Sequence, residues 1–102
     1  MERPCDPAAC RACLVDIEGV LVRDKRYEPV PGVPAWFAGL RARGVAICLV
    51  SNNTTHTPVE LLAKLAAAGY DVARGELITA LELGAELLAR WGKRRLLWLG
   101  EP

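Results

Sequence analysis

Two clusters of carboxylate, hydroxyl and amide side chains stand where short apolar segments of the sequence end. The first cluster is Asp16 with Glu18, and the second is Ser51 with Asn52 and Asn53. A carboxylate such as Asp16 can attack a phosphoryl group, and an acid two residues further on can protonate the leaving oxygen and then activate water. The hydroxyl of Ser51 can hold a phosphate oxygen. These residue types fit phosphoryl transfer, provided that the fold brings the two clusters together.

Buried strands separated by helices would bring the clusters together. Apolar runs predict strands over residues 13–17, 45–50 and 96–99. Helices are predicted between and after them, from Pro34 to Arg43, from Pro58 to a stop at Gly69, and from Ala80 to a stop at Gly92. This order predicts an α/β fold with three parallel strands, about three helices and helices on both faces of the sheet. Ligands of such sheets bind beyond the carboxyl ends of the strands, where both polar clusters lie.

Local signals mark the helix starts and the loop near the first cluster. Thr57 with Glu60, and Thr79 with Glu82, have the spacing of a capping box. Residues 20–34, which carry three prolines and mixed charge, predict a loop with room for a small hairpin. A flap over the site is an alternative, less favoured than a solvated charged loop, and it would bring three cations near phosphate: Arg23, Lys25 and Arg26.

Composition excludes several classes of function. The 102 residues carry a formal charge of +1, with 52% hydrophobic and 25% charged residues, which is typical of one small globular domain. The balanced charge argues against a dedicated nucleic-acid binder, and no apolar run approaches the roughly 18 residues of a membrane span. The N-terminal residues lack the apolar segment of a secretory signal, so we expect a cytoplasmic protein.

Four cysteines, at positions 5, 10, 13 and 48, leave a metal site open as an alternative. The spacing of the first three resembles the ligands of an iron–sulfur or zinc site. Cys13 and Cys48, however, stand within apolar runs, where cysteine serves as a small core residue, and Cys5 and Cys10 stand in an irregular lead-in. We therefore favour cysteines without a metal.

The ordered set of motifs resembles the haloacid dehalogenase superfamily. Asp16-Ile17-Glu18-Gly19-Val20-Leu21 is similar to its first motif, D-x-D-G-T/V-L, and Val50-Ser51-Asn52-Asn53 is similar to its second. The loop over residues 31–34 and the segment over residues 75–79 resemble the NagD-type and nitrophenylphosphatase-like subfamily. The resemblance extends in register over residues 13–100.

The resemblance implies a three-layer, Rossmann-like α/β/α core and a magnesium-dependent phosphatase acting on a small phosphorylated metabolite through an aspartyl-phosphate. It makes Asp16 the nucleophile and Glu18 the general acid and base. Phosphate would be bound by Ser51, Asn52 and Asn53. The family holds Mg²⁺ by the nucleophilic aspartate, by the backbone carbonyl at position 18 and by a later acid, and hard oxygen ligands of this kind suit Mg²⁺.

The sequence departs from the family pattern in two ways. Glu18 stands where the family has aspartate, and misplacing a catalytic carboxylate by about 1 Å can lower a rate on the order of 100-fold. Three features of the family have no counterpart among the 102 residues. They are the third motif, which is a lysine or arginine, the fourth motif, which is acidic, and the cap domain. Lys93, Arg94 and Arg95 precede the predicted third strand, so we expect them at the opposite end of the sheet.

The expected organisation is an irregular extension over residues 1–12 followed by a partial core over residues 13–102, without a cap. The first strand should then form an edge of the sheet, and we expect a homo-oligomer or the extension to cover it. A catalytically inactive remnant that acts as an oligomerising or binding module is the main alternative to the phosphatase. A cysteine-ligated metal protein is the lesser one.

Overall fold

The computed structural model describes residues 6, 9–92, 94, 95, 97 and 99. The elements follow one another in this order: β1 (Ala12–Asp16), β2 (Val22–Arg23), β3 (Glu28–Pro29), α1 (Val33–Ala42), β4 (Ala46–Ser51), α2 (Pro58–Ala67), a one-turn 3₁₀ helix (Arg74–Glu76), β5 (Leu77–Thr79) and α3 (Ala80–Arg90). Residues 1–5, 7 and 8 of the predicted extension lie outside the described part, so the proposed division at residue 13 stays a prediction.

Three parallel strands form one sheet in the order β1, β4, β5, and β2 pairs with β3 in a separate antiparallel hairpin. The predicted α/β fold with three parallel strands and three α-helices is therefore confirmed, and so is the small hairpin. Within the described part of the chain, β1 pairs with β4 alone and forms one edge, as expected.

The third strand of the described sheet is one that the sequence did not predict. It is β5, whose three residues directly precede α3. Of the predicted strand over residues 96–99, residues 96 and 98 lie outside the described part, and Leu97 and Leu99 belong to no strand. A three-residue strand is too short to show an apolar run of its own, because only alternate side chains face the core.

The sheet buries one of its faces in the main hydrophobic core. Register pairs Val15 with Leu49, and Leu49 with Leu77, so these side chains point to the same face. Phe37 of α1 and Leu65 of α2 belong to the same buried cluster. Both crossovers advance across the sheet in one direction, and right-handed crossovers of this kind place α1 and α2 on one side.

The opposite face of the sheet is much more open. Leu14, Val50 and Ile78 point to it and are 78%, 40% and 38% exposed. No residue of α3 within the described part of the chain is buried. The strands are thus buried on one face, whereas their nearly continuous apolar sequences indicated burial throughout.

The capping box predicted at Thr57 is complete, whereas the one predicted at Thr79 has only one of its two hydrogen bonds. The Thr57 hydroxyl accepts from the Glu60 backbone N–H at 3.2 Å, and the Glu60 carboxylate accepts in return from the Thr57 N–H, which completes the box. Thr79 caps α3 by accepting from the Glu82 N–H at 3.2 Å. The Glu82 carboxylate instead accepts from Arg74 at 2.5 Å, because the preceding 3₁₀ helix brings that guanidinium within reach.

An ion pair connects α1 to the 3₁₀ helix. The Arg41 guanidinium donates to both carboxylate oxygens of Glu76, at 2.5 and 2.7 Å, and also to the backbone carbonyl of Asp71. The hydrogen bonds from Arg41, followed by one from the Ala73 backbone N–H, hold the pKa of Glu76 below its usual range, against the opposing effect of burial. This pair connects segments that are 35 positions apart in the sequence.

Glu76→Gln is expected to lower the free energy of unfolding at pH 7 by about 1 kcal/mol, since a bidentate, half-buried pair lies at the upper end for surface ion pairs. A depressed folded-state pKa contributes stability above the unfolded value of about 4.3, and that contribution disappears as the pH falls through the folded pKa. Urea unfolding at pH 7 and pH 3 measures both effects. A difference between wild type and variant that stays constant with pH would contradict the pairing.

Candidate active site

The nucleophile candidate Asp16 is the last residue of β1, opposite Val50 in the parallel register. Its Oδ1 atom accepts from the backbone N–H of Ile17 at 2.8 Å. The Ile17 side chain is fully buried, so the backbone at this strand end is anchored in the core. Within the described part of the chain, the Oδ2 atom of Asp16 accepts no hydrogen bond, which leaves it available at the rim of the sheet.

The second predicted cluster lies against the first, as the topology required. Glu18 accepts from the hydroxyl of Ser51, at 2.8 Å to Oε2 and 3.1 Å to Oε1. The Ser51 side chain is buried, and its Oγ atom accepts in turn from the backbone N–H of Asn53 at 3.0 Å. The carboxyl ends of β1 and β4 therefore bring both clusters to one rim.

Asn53 organises the loop that follows β4. Its Oδ1 atom accepts from the backbone N–H groups of Thr55 and His56, both at 2.9 Å, which fixes the orientation of the amide. The Nδ2 atom then points to Glu18 at 3.2 Å and to the hydroxyl of Tyr27 at 2.8 Å. The predicted phosphate ligand thus donates to protein acceptors in this structure.

Tyr27 is a site residue that the sequence did not reveal. Its hydroxyl lies 3.4 Å from Glu18, its ring meets that of His56 edge to face at 5.6 Å, and the Lys64 ammonium lies 5.2 Å from its ring centre. Burial, followed by the nearby charge of Glu18, raises the pKa of the Tyr27 phenol, which stays a donor at neutral pH. Its contact with Asn53 spans 26 positions, and no local pattern signals such a contact.

The site opens to solvent through two adjoining hollows. Asp16, Glu18, Asn52 and Asn53 line a cleft of about 280 Å³. Asn52 is exposed there and makes no hydrogen bond with another described residue. No lysine or arginine of the described residues lines this cleft.

The second hollow, of about 620 Å³, is lined in part by the turn of the β2–β3 hairpin and shares Glu18 and Asn53 with the cleft. Its other lining residues are Asp24, Lys25, Tyr27, Thr55 and His56. Of the three cations that a flap would bring near phosphate, only Lys25 lines either hollow, since Arg26 lines a separate depression beside α2. The hairpin therefore borders the site and contributes one cation.

The cysteine-metal alternative depends on Cys5, Cys10 and Cys13. Among the described residues, Cys10, Cys13 and Cys48 form no disulfide with one another, and Cys5 lies outside the described part. In the part of the chain that the structure describes, no three histidine, cysteine, aspartate or glutamate side chains gather as metal ligands. That part also contains no helix with the length and apolar character needed to cross a membrane.

Comparison with known proteins decides the family. The model of the haloacid dehalogenase-like hydrolases matches residues 13–102. This chain belongs to that family. The match begins one residue into β1 and includes both polar clusters, as the resemblance of the motifs predicted.

Two curated members of the hydrolase family show the extent of the similarity. The human haloacid dehalogenase-like hydrolase domain-containing protein 2 is 35% identical over 94 residues, which cover 88% of this chain and 35% of the human protein. The ribonucleotide monophosphatase NagD of Escherichia coli K-12 is 30% identical over 88 residues, covering 86% of this chain and 34% of NagD. The chain therefore spans about a third of the length of these relatives.

The solved structure of NagD contains a region with a similar backbone fold. It superposes with a TM-score of 0.66 at 30% identity, covering 79% of this chain and 32% of NagD. This hydrolase-family chain is therefore similar in fold and in sequence to about a third of NagD.

Proposed function

We propose that this chain is a magnesium-dependent phosphatase domain that acts on a small phosphate ester through an aspartyl-phosphate. The observation that carries the proposal is the meeting of Asp16, Glu18 and Ser51 at one rim of the sheet, from strand ends that are 35 positions apart. The likeness to NagD, which is described as a ribonucleotide monophosphatase, supports a small phosphorylated substrate.

Each residue has a definite role in the proposed reaction. An Asp16 oxygen attacks phosphorus, and the bond from phosphorus to the leaving oxygen breaks as Glu18 gives that oxygen a proton. Glu18 then takes a proton from water, which attacks the aspartyl-phosphate and releases inorganic phosphate and free Asp16. Ser51, Asn52 and Asn53 hold the phosphate oxygens meanwhile.

The family implies Mg²⁺ at this site, and the donor chemistry fits that ion. The carboxylate of Asp16 and the backbone carbonyl of Glu18 would hold it. Mg²⁺ is commonly bound through one or two carboxylates together with substrate phosphate and water. When bound, the ion offsets the negative charge of the phosphoryl group.

The proposed reaction also needs a basic residue and a further acid. We propose that these come from a second copy of the chain. An apolar edge strand is a ready site for pairing with another chain, and β1 presents Leu14, which is 78% exposed. A homo-oligomer formed at this edge and a cytoplasmic location remain predictions from the sequence.

The absence of lysine and arginine from the described lining of the Asp16 cleft favours a second candidate function. In that alternative the chain is a non-catalytic member of the family that oligomerises or binds a phosphorylated partner. Both candidates have the same residues at the rim of the sheet, so only the hydrolysis of a phosphate ester distinguishes them.

Hydrolysis of an aryl phosphate by the purified 102-residue protein separates the two candidates. We expect turnover with Mg²⁺ and its loss after removal of the ion with EDTA, recovered when Mg²⁺ is restored. Turnover that never exceeds the background of an Asp16→Asn variant would overturn the phosphatase proposal for this chain and leave the non-catalytic alternative.

A further inference from the structure

The hydrogen-bond donors that we assign to phosphate already hold an anion in this structure. The Ser51 hydroxyl donates to the carboxylate of Glu18, and the Asn53 amide donates to the same carboxylate at 3.2 Å. A hydroxyl has a single hydrogen to donate. Ser51 therefore cannot donate to Glu18 and to a phosphate oxygen at the same time.

We propose that the carboxylate of Glu18 is a resident occupant of the phosphate site, which phosphate enters only by displacing it from Ser51 and Asn53. The inference rests on the proposed function, because it uses the assignment of these two residues to phosphate. It adds a competition between an internal carboxylate and the phosphate of the substrate for the same donors. In the proposed reaction, the displaced Glu18 gains a proton from bulk water and is then free to give that proton to the leaving oxygen.

The length of the Glu18 side chain makes this occupancy possible. An aspartate at the same backbone position would end about 1.5 Å earlier, the length of one C–C bond. The contact of 2.8 Å to Ser51 would then exceed the reach of a hydrogen bond. The glutamate at position 18, which departs from the family pattern, is therefore the feature that lets the carboxylate reach Ser51.

Tyr27 holds the carboxylate of Glu18 from the other side. Its backbone has a φ of +57°, a left-handed conformation that is unusual for a bulky residue and costs on the order of 1 kcal/mol or more. The conformation places the phenol 2.8 Å from Asn53 and 3.4 Å from Glu18, while the ring is 8% exposed. The hairpin thus carries local strain and delivers a positioning residue to the occupied donors.

Titration of the metal-free protein with inorganic phosphate, followed by ¹H–¹⁵N NMR, tests the competition. Glu18→Asp keeps the charge and withdraws the carboxylate, so we expect about tenfold tighter phosphate binding than in wild type, equivalent to about 1.4 kcal/mol. The side-chain amide signals of Asn53 should shift during the titration. Glu18 is exposed at the rim, so shortening it leaves the core unchanged, which circular dichroism can verify.

Asp24→Asn is the matched control. Asp24 lines the neighbouring hollow, and its removal deletes a negative charge without freeing Ser51 or Asn53. Competition for donors predicts that the phosphate affinity of this variant changes at most twofold. Charge repulsion alone predicts instead that Asp24→Asn binds phosphate more tightly than wild type and that Glu18→Asp binds it with unchanged affinity. The second pattern, or no phosphate binding by wild type and Glu18→Asp alike, would overturn the inference.

Phosphate binding and turnover are measured separately, so the occupancy by Glu18 and the phosphatase proposal can fail independently. Tighter phosphate binding by Glu18→Asp in a chain without turnover would support the occupancy while the phosphatase proposal fails. Turnover that depends on Asp16, combined with unchanged phosphate binding by Glu18→Asp, would support the phosphatase and refute the occupancy.

Discussion

Replacing Asp16 with asparagine is expected to lower aryl phosphate hydrolysis by a factor on the order of 10³ or more, as removal of a covalent nucleophile commonly does. An amide nitrogen or oxygen is a far weaker nucleophile than a carboxylate. The asparagine Oδ1 atom can still accept from the Ile17 N–H, as Asp16 does at 2.8 Å, so the strand end should keep its conformation. Initial rates of nitrophenol release at saturating Mg²⁺ measure the effect.

Asp24→Asn provides the control for this prediction, because it makes the same chemical change beside the site. Asp24 lies in the hairpin, and the Ser51 and Asn53 side chains hydrogen-bond to Glu18 rather than to Asp24. We expect its variant to retain most of the activity. Equal losses in both variants would show that general electrostatics, rather than a nucleophile at position 16, account for the rate.

The sequence predicted those parts of the fold that are encoded locally. The apolar runs over residues 13–17 and 45–50, and the capping box at Thr57, each depend on neighbouring residues. The structure has strands β1 and β4 at the two runs, within one residue of the predicted bounds, and it has the capping box. Parallel topology then brings the strand ends together. The convergence of the two clusters could therefore be predicted without any knowledge of side-chain contacts.

The features that sequence reasoning missed depend on contacts between distant segments. Tyr27 enters the site because a strained hairpin directs it to Asn53, and Glu82 leaves its capping box because Arg74 competes for its carboxylate. The open face of the sheet also depends on contacts between distant segments. An apolar strand sequence reports what a strand can bury, but the packing of the helices decides which of its faces is covered.

The meeting of polar residues at the rim depends on the single buried face of the sheet. The buried side chains of α2 belong to the core that covers this face of the sheet. Tyr70 connects the loop after β1 to the same core, because its hydroxyl donates to the Leu21 carbonyl at 2.6 Å. The loop after β1 carries Glu18, and the loop before α2 carries Asn53. Loosening this core should therefore disturb the site as well as the fold.

Leu65→Ala is expected to lower the free energy of unfolding by about 3 kcal/mol, within the range of 2–5 kcal/mol for truncation of a buried leucine. Leu65 is fully buried in α2 and belongs to the main core, so its truncation removes apolar contact and leaves a cavity. Small domains have about 5–15 kcal/mol of total stability, so the loss would be a large fraction. Urea unfolding followed by circular dichroism measures it.

Val59→Ala is the matched control, because Val59 lies on the same helix and is 72% exposed. Its variant should stay within about 0.5 kcal/mol of wild type, as exposed substitutions commonly do. Both variants shorten an aliphatic side chain in α2, so the difference between them reports which side of the helix faces the sheet. Similar losses in the two variants would contradict the packing of α2 against the face that Leu49 and Leu77 share.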